Sequence, residues 1–270
     1  TALSLMFGIG GAANFNLSMG HGKREDAARY AGNAVFMLFF TGLILCLGGR
    51  LFLKPLMIAF GATAEVLDYS LVYTGITSLG FPFLILTTGG SNLIRADGSP
   101  RFSMVCTLTG ALINTILGPL FVNIILDVVL VAVLRMGVAG AALATIIGQI
   151  VSGIMVIIYL TRFKTVHLTF DYLRPIPSHI KAIISLGMAP FFNQIAMMVV
   201  QIVMNNVLRY YGGQSHYGSE IPLACAGIIS KVSMIFFSLV IGLSQGLQPI
   251  VSFNYGAGKY RRVRSAYLKA

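Results

Sequence analysis

Apolar residues in this chain come in long unbroken runs rather than in alternation. Seven stretches stand out, at 2–19, 30–52, 66–93, 102–134, 137–160, 183–208 and 223–255. A helix needs about 20 apolar residues to cross a hydrocarbon core about 30 Å thick. Barrel strands would be about ten residues long and strictly alternating. The pattern therefore predicts an all-α, polytopic integral membrane protein, because helices satisfy every backbone polar group internally. The first stretch carries Asn14, Asn16 and Ser18 without a basic leader, so it does not read as a secretory signal. At 33 residues, 102–134 is overlong for a single crossing, and Gly118-Pro119 is where it would break.

Two of the runs end alike. Met19-Gly20-His21-Gly22-Lys23-Arg24 closes the first, and Tyr255-Gly256-Ala257-Gly258-Lys259-Tyr260-Arg261 closes the seventh, 236 positions later. Six spans separate equivalent points, and an even number gives both units one orientation. That describes a parallel repeat about an axis along the membrane normal. Units of this length extrapolate to a parent of about twelve helices, of which this chain would hold the second to the eighth. The expected division is 1–160 as most of an N-lobe, 161–181 as an inter-lobe linker, and 182–270 as the start of a C-lobe. The linker assignment rests on Pro175, Pro177 and a cluster of basic residues.

Composition sharpens this picture. The chain is 56% hydrophobic and 10% charged, with a mean hydropathy of +0.84, whereas soluble domains are about one quarter charged. A net charge of +11 could suggest a polyanionic partner, but its distribution argues otherwise. Threading the spans alternately puts 14 Lys and Arg on the side of the Gly20 and Gly256 loops and 4 on the other, with Lys231 inside a span. By the positive-inside rule both loops are cytoplasmic and the protein is multi-pass in the cell (plasma) membrane. Lipids and small molecules are the expected partners, nucleic acid is not, and the full-length protein is expected to be monomeric. Cys46, Cys106 and Cys225 stand alone and read as packing residues.

Asp127 is the one acid within an apolar run. A carboxylate at membrane depth is costly and suits a proton relay or an ion ligand; alternatively, the overlong stretch leaves it solvated at the interface. Asn123 precedes it by one turn, and Asn114 stands one turn before Gly118. These amides either support a cation site or hydrogen-bond between helices. Lys231 shares a helical face with Ser238 and Gln245, as a charge switch or a pinning contact. Gln194, Met198, Gln201 and Asn205 fall within about 40° of one another at 3.6 residues per turn. Such a stripe lines a cavity for amphipathic ligands or glues helices together.

Catalysis has no support. His21, His167, His179 and His216 read as loop residues without metal or nucleophile spacing, and Gly-x-Gly-Lys follows no strand. No enzyme activity, bound metal or cofactor is expected, beyond H+ or Na+ as a transported coupling ion.

Four motifs, in order, resemble the multidrug and toxic compound extrusion (MATE) family, its bacterial branch most closely. They are Gly20-His21-Gly22-Lys23 with Asp26-Ala27, Ile94-Arg95-Ala96-Asp97-Gly98-Ser99-Pro100, Gly137-Val138-Ala139-Gly140-Ala141-Ala142-Leu143-Ala144-Thr145, and Gly246-Leu247-Gln248-Pro249 with Asn254-Tyr255-Gly256-Ala257. The resemblance implies two six-helix lobes around a central cavity and rocking exchange of drug-like, often cationic, substrates for protons or sodium. It also implies roles: Asp127, Asn123 and Asn114 at an N-lobe cation site, and Gln194, Met198, Gln201, Asn205, Lys231 and Gln245 along the C-lobe wall of the cavity. Where the family carries Asn-x-x-x-Asp-Pro, this chain has Asn114 followed by Gly118-Pro119, and its acid comes nine residues later at Asp127. A lipid-linked precursor flippase of the same superfamily is the alternative, though it calls for a more cationic cavity than Lys231 alone provides. A non-functional truncated transporter is another.

Overall fold

A computed structural model describes residues 1–59, 64–115, 138–166, 168–214, 216, 218 and 220–270. These form helices and turns, with no strand among the described residues. The helices are α1 (Ala2–Gly20), α2 (Arg24–Leu51), α3 (Leu53–Ala59), α4 (Ala64–Thr77), α5 (Phe81–Ala96) and α6 (Pro100–Thr115). They continue with α7 (Val138–Leu160), α8 (Pro177–Gly213), α9 (Glu220–Gly256) and α10 (Tyr260–Lys269). Five described segments are long and apolar enough to cross a membrane: Arg24–Leu51, Leu67–Ala96, Val138–Leu160, Pro177–Gly213 and Ala224–Gly256.

The first apolar stretch of the sequence, α1, is not among them, and its position explains why. It is the central helix, packed on α2, α5, α8 and α9. Its Ser4, Asn14, Asn16 and Ser18 are all buried, so it has no need of a fully apolar surface. Asn14 Nδ2 donates to the Gly10 carbonyl at 2.9 Å and to the Ala182 carbonyl of α8 at 3.1 Å. The stretch read as one span at 66–93 is the segment Leu67–Ala96, with a 3-10 turn at Ser78–Gly80 inside it. Thr77 and Ser78 hydroxyls bond the Tyr73 and Gly75 carbonyls there. Pro82 therefore opens α5, where a missing N–H costs nothing. Pro190 and Pro249 do lie inside helices.

Helices α1, α2, α5 and α7 close on one another through small residues, the device membrane helices use when lipid supplies no hydrophobic drive. A Cβ at Gly8 would meet Gly89 Cα at 2.6 Å, and one at Gly11 would meet Ala34 Cβ at 2.4 Å. Phe15, Leu38, Leu93, Ile94, Val156 and Ile183 fill the core around these crossings. Cys46 and Cys106 are buried as expected, but Cys225 is exposed on α9. His179 is not a loop residue: it lies in the first turn of α8, with its ring 4.4 Å from that of Tyr30.

Helices α1, α5, α7 and α9 all end at one end of the bundle, here called the turn end. The same glycine C-cap closes three of them. Gly22, Gly98 and Gly258 have φ of +78°, +77° and +69°. In each the residue after the glycine donates to a carbonyl five positions back: Lys23 to Ser18, Ser99 to Ile94, and Lys259 to Asn254. This is the Schellman arrangement, in which only glycine adopts the left-handed position without strain. The sequence repeat is therefore a repeat of this cap, and Gly98 is a third copy of it.

The connection from α7 to α8 is shorter than the expected 161–181, because α8 begins at Pro177. Two buried side chains pin it to the bundle at the turn end. Asn33 of α2 accepts from Ile176 N–H at 2.7 Å and donates to the Tyr172 carbonyl at 3.4 Å. The Asp97 carboxylate accepts from Tyr159 Oη and Lys164 N–H, each at 2.8 Å, and from Thr165 N–H at 3.0 Å.

Candidate functional site

The sixth and seventh apolar stretches, α8 and α9, both meet the first, α1. At the turn end, a Cβ on Gly20 would lie 2.3 Å from the Phe253 carbonyl oxygen, and one on Gly256 would lie 2.4 Å from the Leu17 carbonyl oxygen. Phe253 and Gly256 follow Leu17 and Gly20 by 236 positions each, so the crossing of α1 and α9 is reciprocal in the repeat's own register. The two glycine turns thus share one end of the bundle. Helix α8 meets α1 in the opposite direction: a Cβ on Gly10 would touch the Ile183 carbonyl, and one on Gly187 would touch the Met6 carbonyl.

Beyond these crossings both helices lose their neighbours. A Cβ on Gly242 or Gly246 would find nothing within 4 Å. Helical register decides what the freed faces carry. At about 100° per residue, Lys231, Ser238, Gln245 and Pro249 fall within about 20° of Gly256. On α8, Gln194, Met198, Gln201 and Asn205 fall within about 40° of Gly187. The faces of α8 and α9 that touch α1 therefore carry polar stripes further along each helix. Pro249 has no N–H to give the Gln245 carbonyl, which adds an acceptor to the α9 stripe.

The individual positions are as follows. Gln194 and Gln245 are half-buried, while Met198, Gln201, Asn205 and Lys231 are exposed. Gln201 Nε2 donates to Asn205 Oδ1 at 3.0 Å. The side of α8 turned away from this stripe is purely apolar, with Val199, Val200, Val203 and Met204 around a shallow cavity of about 430 Å³. Asp127 and Asn123 lie outside the described residues, and Asn114 is placed only as a position near the end of α6.

Sequence reasoning missed Asp97 and Asn33. Asp97 lies outside the apolar runs of the sequence, yet it is 3% exposed. Its signal was available in Asp97-Gly98-Ser99-Pro100, which combines the repeated glycine cap with a helix start. Asn33, fully buried, was a lone amide near the start of a span.

An all-helical membrane bundle with two parallel-repeat helices crossing reciprocally defines a polytopic membrane protein of two-lobe type. The family model described as MatE matches residues 1–120 and 191–270, and the chain belongs to the MATE family. It is 27% identical over 261 residues to the multidrug export protein MepA of Staphylococcus haemolyticus strain JCSC1435, covering 96% of this chain and 54% of that protein. Against MepA of Staphylococcus aureus strain N315 the identity is 25% over 260 residues, with the same coverage of 96% and 54%. The chain thus spans about half the length of the curated relatives it matches. Among solved structures, a MATE protein in the bent conformation superposes with a TM-score of 0.82 at 20% identity, over 99% of this chain and 57% of that one. A MOP superfamily transporter from Pyrococcus furiosus gives 0.81 at 20% identity, over 99% and 56%. These proteins are transporters and exporters by name, not enzymes.

Proposed function

We propose that the protein to which this chain belongs exports small, amphipathic, often cationic molecules by alternating access, coupled to protons or sodium. The observation that carries the reading is the register of α8 and α9, whose α1-facing sides become polar stripes where they leave α1. Amides and a thioether suit ligands of varied shape, because such side chains re-pack and form few obligatory bonds. In this reading, Gln194, Met198, Gln201, Asn205, Lys231 and Gln245 line the C-lobe side of the cavity. Asp127, with Asn123 or Asn114, supplies the N-lobe cation site. The division is an N-lobe at 1–160, a linker and a C-lobe from 182, with the glycine turns cytoplasmic and the whole protein monomeric in lipid. Lys231 is the one cation on either stripe, which disfavours a polyanionic lipid precursor as cargo.

Efflux of a fluorescent lipophilic cation from proteoliposomes of the full-length protein, under an imposed proton or sodium gradient, tests this. Gradient-driven efflux that falls at least about tenfold in Gln201→Leu/Asn205→Leu is the expected result. No gradient-driven flux in the unaltered protein refutes export, and full flux in Asp127→Asn removes that carboxylate from the coupling.

A further inference from the structure

A groove of about 440 Å³ runs between α2 and α7. Both helices pack on α5 with almost no contact with each other, so α5 is left as the floor, through Leu86. Phe36 and Phe39 of α2 form one wall, and Ile157 and Leu160 of α7 form the other. Where α7 ends, the connection to α8 adds Leu168, Phe170 and Leu173. No lining residue belongs to α1, α8 or α9, so the groove is separate from the glycine crossings and from the polar stripes.

The lining carries no charge, and its only hydroxyls are those of Thr161 and Thr169. Thr161 Oγ1 already donates to the Ile158 carbonyl at 2.8 Å. An ion or a polar molecule would lose its water here and gain little in exchange. The connection supplies a second observation. Asp97 ties it at Lys164 and Thr165, and Asn33 ties it at Ile176. Between these ties lies the 3-10 turn Phe170–Leu173, none of which is buried, and Phe170 is 90% exposed. An aromatic ring held at this rim with so little protein against it gains burial and dispersion only from outside the chain. The surroundings say from what. Past the groove, Leu43 and Leu47 on α2 and Ile147 and Ile154 on α7 are exposed, and both helices have membrane-spanning length and apolarity. The groove is continuous with the surface that these helices turn to hydrocarbon. Its size distinguishes a chain from a fragment. A dry apolar cavity of about 150 Å³ admits benzene, so one about three times larger has room for roughly fifteen to twenty carbons.

We propose that the groove seats one acyl chain of a membrane phospholipid, held between α2 and α7 and covered at one end by Phe170 and Leu173. Recognition is of the tail, because the lining offers nothing to a headgroup. A chain seated there packs at once on the bundle and on the connection, and stiffens the 3-10 turn between the ties at Asp97 and Asn33. The inference does not depend on what the protein exports.

The test is photolabelling of the full-length protein in neutral detergent. The probe is phosphatidylcholine with a diazirine midway along one acyl chain, and the label is mapped by peptide mass spectrometry. Saturable labelling of 35–39, 157–161 and 168–173 is the expected result, with unlabelled phosphatidylcholine and phosphatidylglycerol competing alike. Hydrogen exchange at 168–173 should slow as the lipid is added. Ile157→Trp/Leu173→Trp fills the groove and should abolish the labelling. Phe170→Ser alters a ring that is almost wholly exposed, so the fold survives it. It should raise the half-saturating lipid concentration about tenfold, the equivalent of one aromatic contact. Leu47→Trp/Ile147→Trp, on the same helices outside the groove, should change nothing. No saturable labelling in the groove overturns the proposal, as does labelling unaffected by both the filling pair and Phe170→Ser. Labelling lost equally in Leu47→Trp/Ile147→Trp also overturns it, because that is a general lipid shell. Competition by phosphatidylglycerol alone refutes recognition of the tail. Competition by the lipophilic cation and not by phospholipid refutes a lipid occupant and gives the groove to the transported molecule.

Discussion

Helix α1 has two kinds of neighbour. On one side α2 and α5 lie against it, joined by glycine crossings, and α7 packs behind them on α5 in a continuous apolar core. On the other, α8 runs antiparallel along α1 from Asn14 to Met6 and α9 crosses it near the turn end, and the apolar stretch of α9 is otherwise unburied among the described residues. Both sides use the same device of glycine against a backbone carbonyl. They differ at α9, where the close crossing at Gly256 gives way to Gly242 and Gly246, at which a Cβ would find nothing within 4 Å. Polar residues follow the same division. Amides in the bundle are bonded to backbone, as Asn14 and Asn33 are, whereas those on α8 bond to each other or to their own helix.

The most damaging change to this arrangement is at the reciprocal crossing. Gly256→Leu puts a side chain where the Leu17 carbonyl lies 2.4 Å from the position of Cβ, and backbone cannot rotate aside as a side chain does. Overpacking of this kind costs about 1–3 kcal/mol, and a clash with main chain belongs at the upper end. Unfolding of the chain followed by circular dichroism should show a loss of about 3 kcal/mol, and Gly20→Leu should match it. Gly242→Leu, with nothing within 4 Å, should change stability by less than about 0.5 kcal/mol. Equal losses at Gly256 and Gly242 would erase the distinction between the held and the open parts of α9.

Within the bundle the largest single polar contribution is assigned to Asp97. Asp97→Ala removes acceptors from Tyr159, Lys164 N–H and Thr165 together and leaves those donors unpaired at the start of the inter-helix connection. Hydrogen bonds to a charged group are worth about 1.5–3 kcal/mol each, but they act here as one unit, so a loss of about 2–3 kcal/mol is expected rather than their sum. Asn33→Ala releases the other end of the same connection and should cost about 1–2 kcal/mol. Backbone hydrogen exchange at 161–176 should rise in both variants while α8 and α9 remain as they were. A rise confined to α8 and α9 would mean the connection is not what holds that end closed.

Hydropathy made the helices and the bundle legible because a membrane imposes length and apolarity on whatever crosses it. The repeated Gly-x-Gly-Lys loop was legible for a different reason: a left-handed C-cap admits essentially one residue type. What stayed hidden were facts of three-dimensional neighbourhood. Asn14, Asn16 and Ser18 lowered the apolarity of α1 without showing that the helix is surrounded. A buried Asp97 and a solvated loop acid have the same local sequence, and only the return of residues 159–165 distinguishes them. The amide stripe of α8 could be recognised as one face, but its alignment with Gly187 and the α1 crossing needed the partner helix. Asp127 and Asn123 lie outside the described residues, so the sequence remains the basis for their assignment.

The smallest expected effect completes the contrast. Gln201→Leu removes the 3.0 Å bond to Asn205, but both side chains are exposed and one turn apart. Pairs of this kind on a helix surface contribute about 0.2–0.5 kcal/mol. Leucine also suits a helix in lipid, so the net change in unfolding free energy should stay within about 0.5 kcal/mol of zero. Asn14→Leu makes the same chemical change in the bundle and loses bonds to both Gly10 and Ala182 carbonyls. It should cost about 1–3 kcal/mol by leaving buried acceptors unpaired. A Gln201→Leu chain as destabilised as Asn14→Leu would show that the α8 stripe serves as structure. An unchanged one leaves those amides free to meet a ligand.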